Sequence, residues 1–170
     1  MSAEENPTSV QIVGPTEGRS LLWGFAVYKL LGEDTGGAFS VIEHNLQPRT
    51  LAAPMHTHRD VDEMSCVLEG EIGARIGDQE VHAGPGTLVL KPKGIPHTFW
   101  NAGPTPARLL EVIWPAGFER YFEELDQLLS STAGQPDPTQ IVQLADKHGM
   151  EMDMGSLPEL MEKYDLKLGG

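Results

Sequence analysis

From residue 21 to residue 114 the chain alternates short apolar runs with breaks that carry glycine or proline, and none of these runs keeps a helical period. The runs cover residues 21–31, 38–46, 63–68, 71–76, 79–82, 87–91, 97–102 and 107–114, with a shorter one at 10–13. The first is long enough for a helix or for one or two strands; Gly24 and the flanking turn signals favour strand. Gly32 to Gly37 reads as a hairpin turn, and residues 71–76 are expected to pair back on 63–68. Gly77-Asp78 is a two-residue turn, and Pro92 to Pro96 a rigid loop. This gives about eight or more short strands at hairpin spacing, the pattern of a β-sandwich or small barrel.

The period changes at Pro115. Phe118, Tyr121, Phe122, Leu125, Leu128 and Leu129 fall on one face of an amphipathic helix over residues 116–129. Asp137 is placed to cap a second helix with Pro138 at its first position and Gly149 past its end. Residues 156–166 suit a third, short helix, and Met150, Met152 and Met154 between them suit apolar filler. The chain therefore divides into a flexible N-terminal arm at 1–9, a β-barrel at 10–115 and a C-terminal helical extension at 116–170. The helices are expected to pack on the outside of the barrel or over its mouth.

Length and charge narrow the partners. A chain of 170 residues makes one domain, with or without an appendage. A formal net charge of −13 argues against nucleic acid and anionic membrane surfaces, and no apolar stretch approaches a membrane helix. The single cysteine, Cys66, excludes an intramolecular disulfide and a cysteine-based zinc site, and its apolar strand makes it a packing residue. The polar start MSAEENPTS has no apolar signal-peptide core, so a cytoplasmic location is expected.

The chemistry concentrates in PMHTHRDVDEMSCVLEG, Pro54 to Gly70, and GTLVLKPKGIPHTFWN, Gly86 to Asn101. Residues two apart in a strand share a face, so His56 and His58 aim at one point. Glu63 is an odd number of residues beyond His58. It reaches the same face if the charged stretch Arg59 to Asp62 forms a turn or bulge that resets the parity. Glu63, Ser65 and Val67 then point inward. With His97 from the second stretch, three imidazoles and a carboxylate make a mixed nitrogen and oxygen set. Such a set holds one divalent transition metal (Ni, Mn, Fe, Co, Cu or Zn) and leaves coordination positions open.

The series His56, His58, Glu63, Gly70 and the series Gly86, Pro92, Gly94, His97, Asn101 resemble the two sequence motifs of the cupin superfamily. The second matches at every fixed position; the first carries Thr50 where the family usually has glycine. The resemblance implies a mainly β fold, a jelly-roll barrel present once, with His56, His58, Glu63 and His97 as metal ligands. The barrel followed by AGFERYFEEL is similar to small cupins grouped with quercetin 2,3-dioxygenases. That similarity implies a dioxygenase acting on a small enol or aromatic substrate, with Glu63 both ligand and base. Ser65 stands where such relatives often carry an aromatic residue. It further implies a homodimer formed through exchanged N-terminal strands, for which residues 10–13 are the candidate arm.

Two other functions use the same ligands: a metal-dependent isomerase or lyase on a sugar or keto acid, and a non-catalytic small-molecule-binding module. Ser65 and Phe99 are the candidate substrate-pocket residues; Phe99 shares the face of His97. Asn101 is placed to hold a backbone turn and Trp100 to pack outward. His44 and His82 read as ordinary strand histidines. Glu111, in an otherwise apolar strand, is either an inward carboxylate or a solvated edge residue.

Overall fold

The computed structural model describes residues 10–169; the arm expected over residues 1–9 lies outside them. Strand β1 (Arg19–Leu21) is joined to β2 (Ala26–Leu30) by a single 3₁₀ turn at Leu22–Gly24. Next come β3 (Ser40–Leu46), β4 (Thr50–Leu51), β5 (Met55–His58) and β6 (Asp62–Glu69). The strands continue with β7 (Ile72–Ile76), β8 (Gln79–Ala83), β9 (Leu88–Lys91), β10 (His97–Asn101) and β11 (Ala107–Trp114). The C-terminal part is α1 (Glu119–Ser131), α2 (Pro138–Lys147), β12 (Met150–Asp153), α3 (Leu157–Tyr164) and β13 (Lys167–Leu168).

The strands form two facing sheets, a jelly-roll sandwich in which hydrogen bonding does not close into a full ring among the described residues. One sheet runs β1-β2-β3-β11-β6-β9; the other runs β12-β5-β10-β4-β13, with β7 on the far side of β10 and β8 beyond it. Alternation decides what faces inward. In β6 every second residue, Glu63, Ser65 and Val67, is buried, and in β11 Ala107, Leu109, Glu111 and Ile113 are. Leu46, Val67, Ile72, Phe99 and Leu109 fill one end of the sandwich. Ile42, Val61 and Ile113 fill the other, together with Phe118, Tyr121 and Leu129 from the α1 region.

Several expectations are corrected. Residues 71–76 do not pair back on 63–68. Gly70 turns the chain at φ +71°, and β7 crosses to the opposite sheet, where it pairs with β10 and β8. Gly73 makes that pairing possible, because a Cβ there would sit 2.3 Å from the Trp100 indole. Residues 10–13 form no strand and are largely exposed. Residues 21–31 break at Leu22–Gly24, where three successive residues take positive φ and the Leu22 N–H donates to Asp126 Oδ1 of α1 at 2.6 Å.

The C-terminal segment is not helical throughout. Met150 and Met152 sit in β12, which pairs with the histidine strand β5, and β13 pairs in parallel with β4. Its helices otherwise follow the sequence. Asp137 accepts the Thr139 N–H at 2.8 Å, with Pro138 in the first turn. Outside the second sheet, α3 covers Trp100, whose ring stacks on Tyr164 at 4.2 Å between centroids.

Candidate metal centre

The four expected ligands converge from both sheets. His56 and His97 are direct cross-strand partners on β5 and β10, and His58 lies one alternation further along β5. Glu63 enters from β6 of the opposite sheet, after the irregular stretch Arg59–Val61 has reset the parity. All four are buried, and one ligand atom from each lies within 4.8 Å of the others. Glu63 Oε1 is 3.3 Å from His58 Nε2, and Oε2 is 3.1 Å from His97 Nε2.

The surroundings suit a cation. The Nδ1 atoms of His56 and His97 face the carbonyls of Pro54 at 2.8 Å and Ile95 at 3.0 Å. Donation by Nδ1–H to these carbonyls leaves each Nε2 as a lone pair directed at the cluster. The His58 backbone is pinned by the Gly94 N–H donating to its carbonyl at 2.8 Å. Burial, reinforced by the neighbouring imidazoles, pushes His56 well below the usual histidine range, and burial also lowers His97. Burial alone would raise the Glu63 carboxyl, but the Lys91 ammonium and His58 outweigh it and hold it well below the usual range. The lowered His56 and His97 and the ionised Glu63 are in the protonation states that metal binding requires.

Spacing along the chain does not point to Lys91, which the fold brings to the site. It is fully buried on β9, directly opposite Glu63 in register, with Nζ 3.3 Å from Glu63 Oε2 and 2.7 Å from Glu111 Oε2. Glu111 is thus the inward carboxylate. Ser65 Oγ donates to the same oxygen at 2.9 Å, and the Phe99 ring lies 4.8 Å from Nζ. Ser65 and Phe99 therefore sit in the interior beside this ion pair, and neither borders the cavity over the histidines. That cavity measures about 80 Å³ and is walled by Phe25, Phe118, Phe122, Leu125, Met150 and Met152. Phe118 lies edge-on to His58 at 4.4 Å. A larger and more polar groove of about 700 Å³ reaches His56 from another side, past Arg75, Asp78 and Asp153.

The other candidates fall elsewhere. His44 is buried against Phe25, Phe99 and Phe122, and its Nδ1 has no hydrogen-bond partner among the described residues. His82 is on the surface near Glu71 and Glu80. Asn101 holds a turn: its amide donates to the carbonyls of Leu46, Gln47 and Thr105, and its Oδ1 accepts the Gly103 N–H.

A family model for the cupin domain matches residues 42–113, a span containing all four candidate ligands, Lys91 and Glu111. Among solved structures, a Thermus thermophilus protein is 32% identical over 46% of this chain and 74% of its own, with a TM-score of 0.44. A Klebsiella pneumoniae protein described by its double-stranded β-helix domain is 22% identical over 62% and 84%, at 0.49. A predicted oxalate decarboxylase of Thermotoga maritima is 24% identical over 52% and 76%, also at 0.49. No curated protein matches the chain significantly.

Proposed function

The chain belongs to the cupin superfamily, and from that premise we propose that it is a metal-dependent dioxygenase of the quercetinase-like type, acting on a small enol or aromatic substrate. The observation that carries the reading is the pairing of three imidazoles and one carboxylate with a small cavity walled by aromatic, leucine and methionine side chains. Such walls exclude water and favour a flat apolar guest presenting one polar edge to the four-residue cluster.

In this reading His56, His58, Glu63 and His97 hold one divalent transition metal, which supplies a Lewis acid and, where redox-active, a partner for dioxygen. Glu63 is the proton acceptor for the substrate hydroxyl. Because Lys91 holds its carboxyl low, Glu63 is a weak base suited to an acidic enol or phenol rather than to an alcohol. Phe118, Phe122, Met150 and Met152 would wall the substrate beside the histidines.

No helix among the described residues is long and apolar enough to cross a membrane. A cytoplasmic homodimer completes the proposal. It is supported by the outward-facing Leu88 and Leu90 on edge strand β9 and by the exposed Val10 and Ile12.

The test is oxygen uptake by metal-reconstituted protein offered flavonols and smaller enols. Uptake with one of these, lost in Glu63→Gln, is the expected result. Turnover of a sugar or keto acid under strict anaerobiosis would instead establish an isomerase or lyase, the reading that the polar groove beside His56 favours. Thermal stabilisation by such ligands without product would mark a binding module.

A further inference from the structure

The ion pair behind Glu63 supplies none of the four candidate ligands, yet it is the most completely buried charge cluster among the described residues. It spans three adjacent strands. Glu111 on β11 faces Ser65 on β6, and Glu63 on β6 faces Lys91 on β9. Lys91 lies between the two carboxylates, with its ammonium also 4.8 Å from the centre of the Phe99 ring. Apolar residues would pack this space at less cost, since each buried ion carries a desolvation penalty that only good pairing offsets.

We infer that Lys91 and Glu111 form a built-in counter-ion pair that sets how tightly the site holds a divalent cation, with Lys91 as a positioning residue that claims one oxygen of Glu63. The inference rests on the reading of His56, His58, Glu63 and His97 as metal ligands.

The geometry gives the sign of each part. Oε2 of Glu63 is shared between Lys91 and His97, whereas Oε1 faces His58. An ammonium 3.3 Å from a ligand oxygen competes with a cation for the same charge and repels that cation through a water-poor interior. Glu111, 2.7 Å beyond, cancels part of the repulsion and draws the ammonium away from Glu63. The pair thus acts as a fixed dipole with its positive end toward the ligands. It keeps Glu63 oriented before a cation arrives, at the expense of affinity.

Removing the negative end and removing the whole pair should therefore have opposite effects. A purely structural role would weaken binding in both cases or in neither.

The experiment is calorimetric titration of the metal-free protein with nickel(II) alone at pH 8, above the value of about 7 to which burial raises the Glu111 carboxyl. The wild type, Glu111→Gln and the double variant Lys91→Met/Glu111→Gln are compared, with thermal melting to confirm that each is folded. Glu111→Gln leaves Lys91 with Glu63 as its only carboxylate, and its Kd is expected to rise by about tenfold or more. The double variant leaves Glu63 as an unshared ligand and is expected to bind at least as tightly as the wild type. Equal Kd values for all three proteins, or weaker binding by the double variant, would overturn the inference and leave the four-ligand reading intact. If Glu111→Gln does not fold, the double variant decides alone: tighter binding than the wild type upholds the inference, and equal or weaker binding overturns it. A wild type that takes up no nickel would sink the four-ligand reading, and the inference with it.

Discussion

At the scale of single residues, the interior of this sandwich is unusual for the charge it carries. His44 is the simplest case. Burial, helped by Lys91, pushes its pKa down to about 4, so it is neutral in the folded protein. Between that value and the ordinary histidine pKa near 6.5 the unfolded chain binds a proton that the folded chain refuses. This contribution to stability is complete above about pH 6.5 and falls by up to about 3 kcal/mol as the pH drops to 4. His44→Phe is expected to flatten the acid side of the stability curve and to leave stability at pH 7.5 unchanged or higher, because it removes an unpaired buried nitrogen. Urea unfolding from pH 4 to 8 checks this; an unaltered acid limb would contradict it. The convergence of the four candidate ligands was legible from spacing, because alternation in β5 and β6 with a break between them has few alternatives. Lys91 was not. In TLVLK the leucines suggest an inward face, whereas Val89 and Lys91 are the buried pair and Leu88 and Leu90 the exposed one. Only the register that sets Lys91 opposite Glu63 reveals it.

At the scale of elements, the site depends on the segment that follows the sandwich. Phe118, just before α1, is buried against His58, Tyr121 and Phe122. Phe118→Ala should cost about 3–5 kcal/mol and open the cavity above the histidines. Chemical denaturation reads the first effect, and an increased capacity for bulky aromatic ligands the second; a loss under about 1 kcal/mol would show that the ring is not a structural wall. The α1 period and the Asp137 cap were legible because both are local. The pairing of β12 with β5 was not, since MEMD has no strand period of its own and becomes a strand only against the open edge beside His56 and His58. The crossover of β7 was hidden for a similar reason. A short loop after β6 suggests a hairpin, and only the close fit of Gly73 to Trp100 shows where the strand goes.

At the scale of the molecule, two sheets hold the four candidate ligands between them: three histidines ride on one and the glutamate on the other. Relative movement of the sheets would disperse the ligands, so a bound ion should tie the fold together. Nickel at 100-fold its Kd is expected to raise unfolding stability by about 2.7 kcal/mol, and a chelator should abolish the gain. The outward leucines of β9 make a second claim, that the sandwich pairs with a copy of itself. Leu88→Lys with Leu90→Lys should convert a dimer to a monomer in light scattering, and an unchanged mass would exclude that face. The central claim is that His56, His58, Glu63 and His97 hold one ion, and metal analysis tests it most directly. Protein purified without added metal, then reconstituted, should carry about one transition-metal ion per chain. The double variant His58→Ala/Glu63→Gln, shown to be folded by its thermal transition, should carry essentially none. Equal metal content in the two proteins, or none in either after reconstitution, would contradict the account.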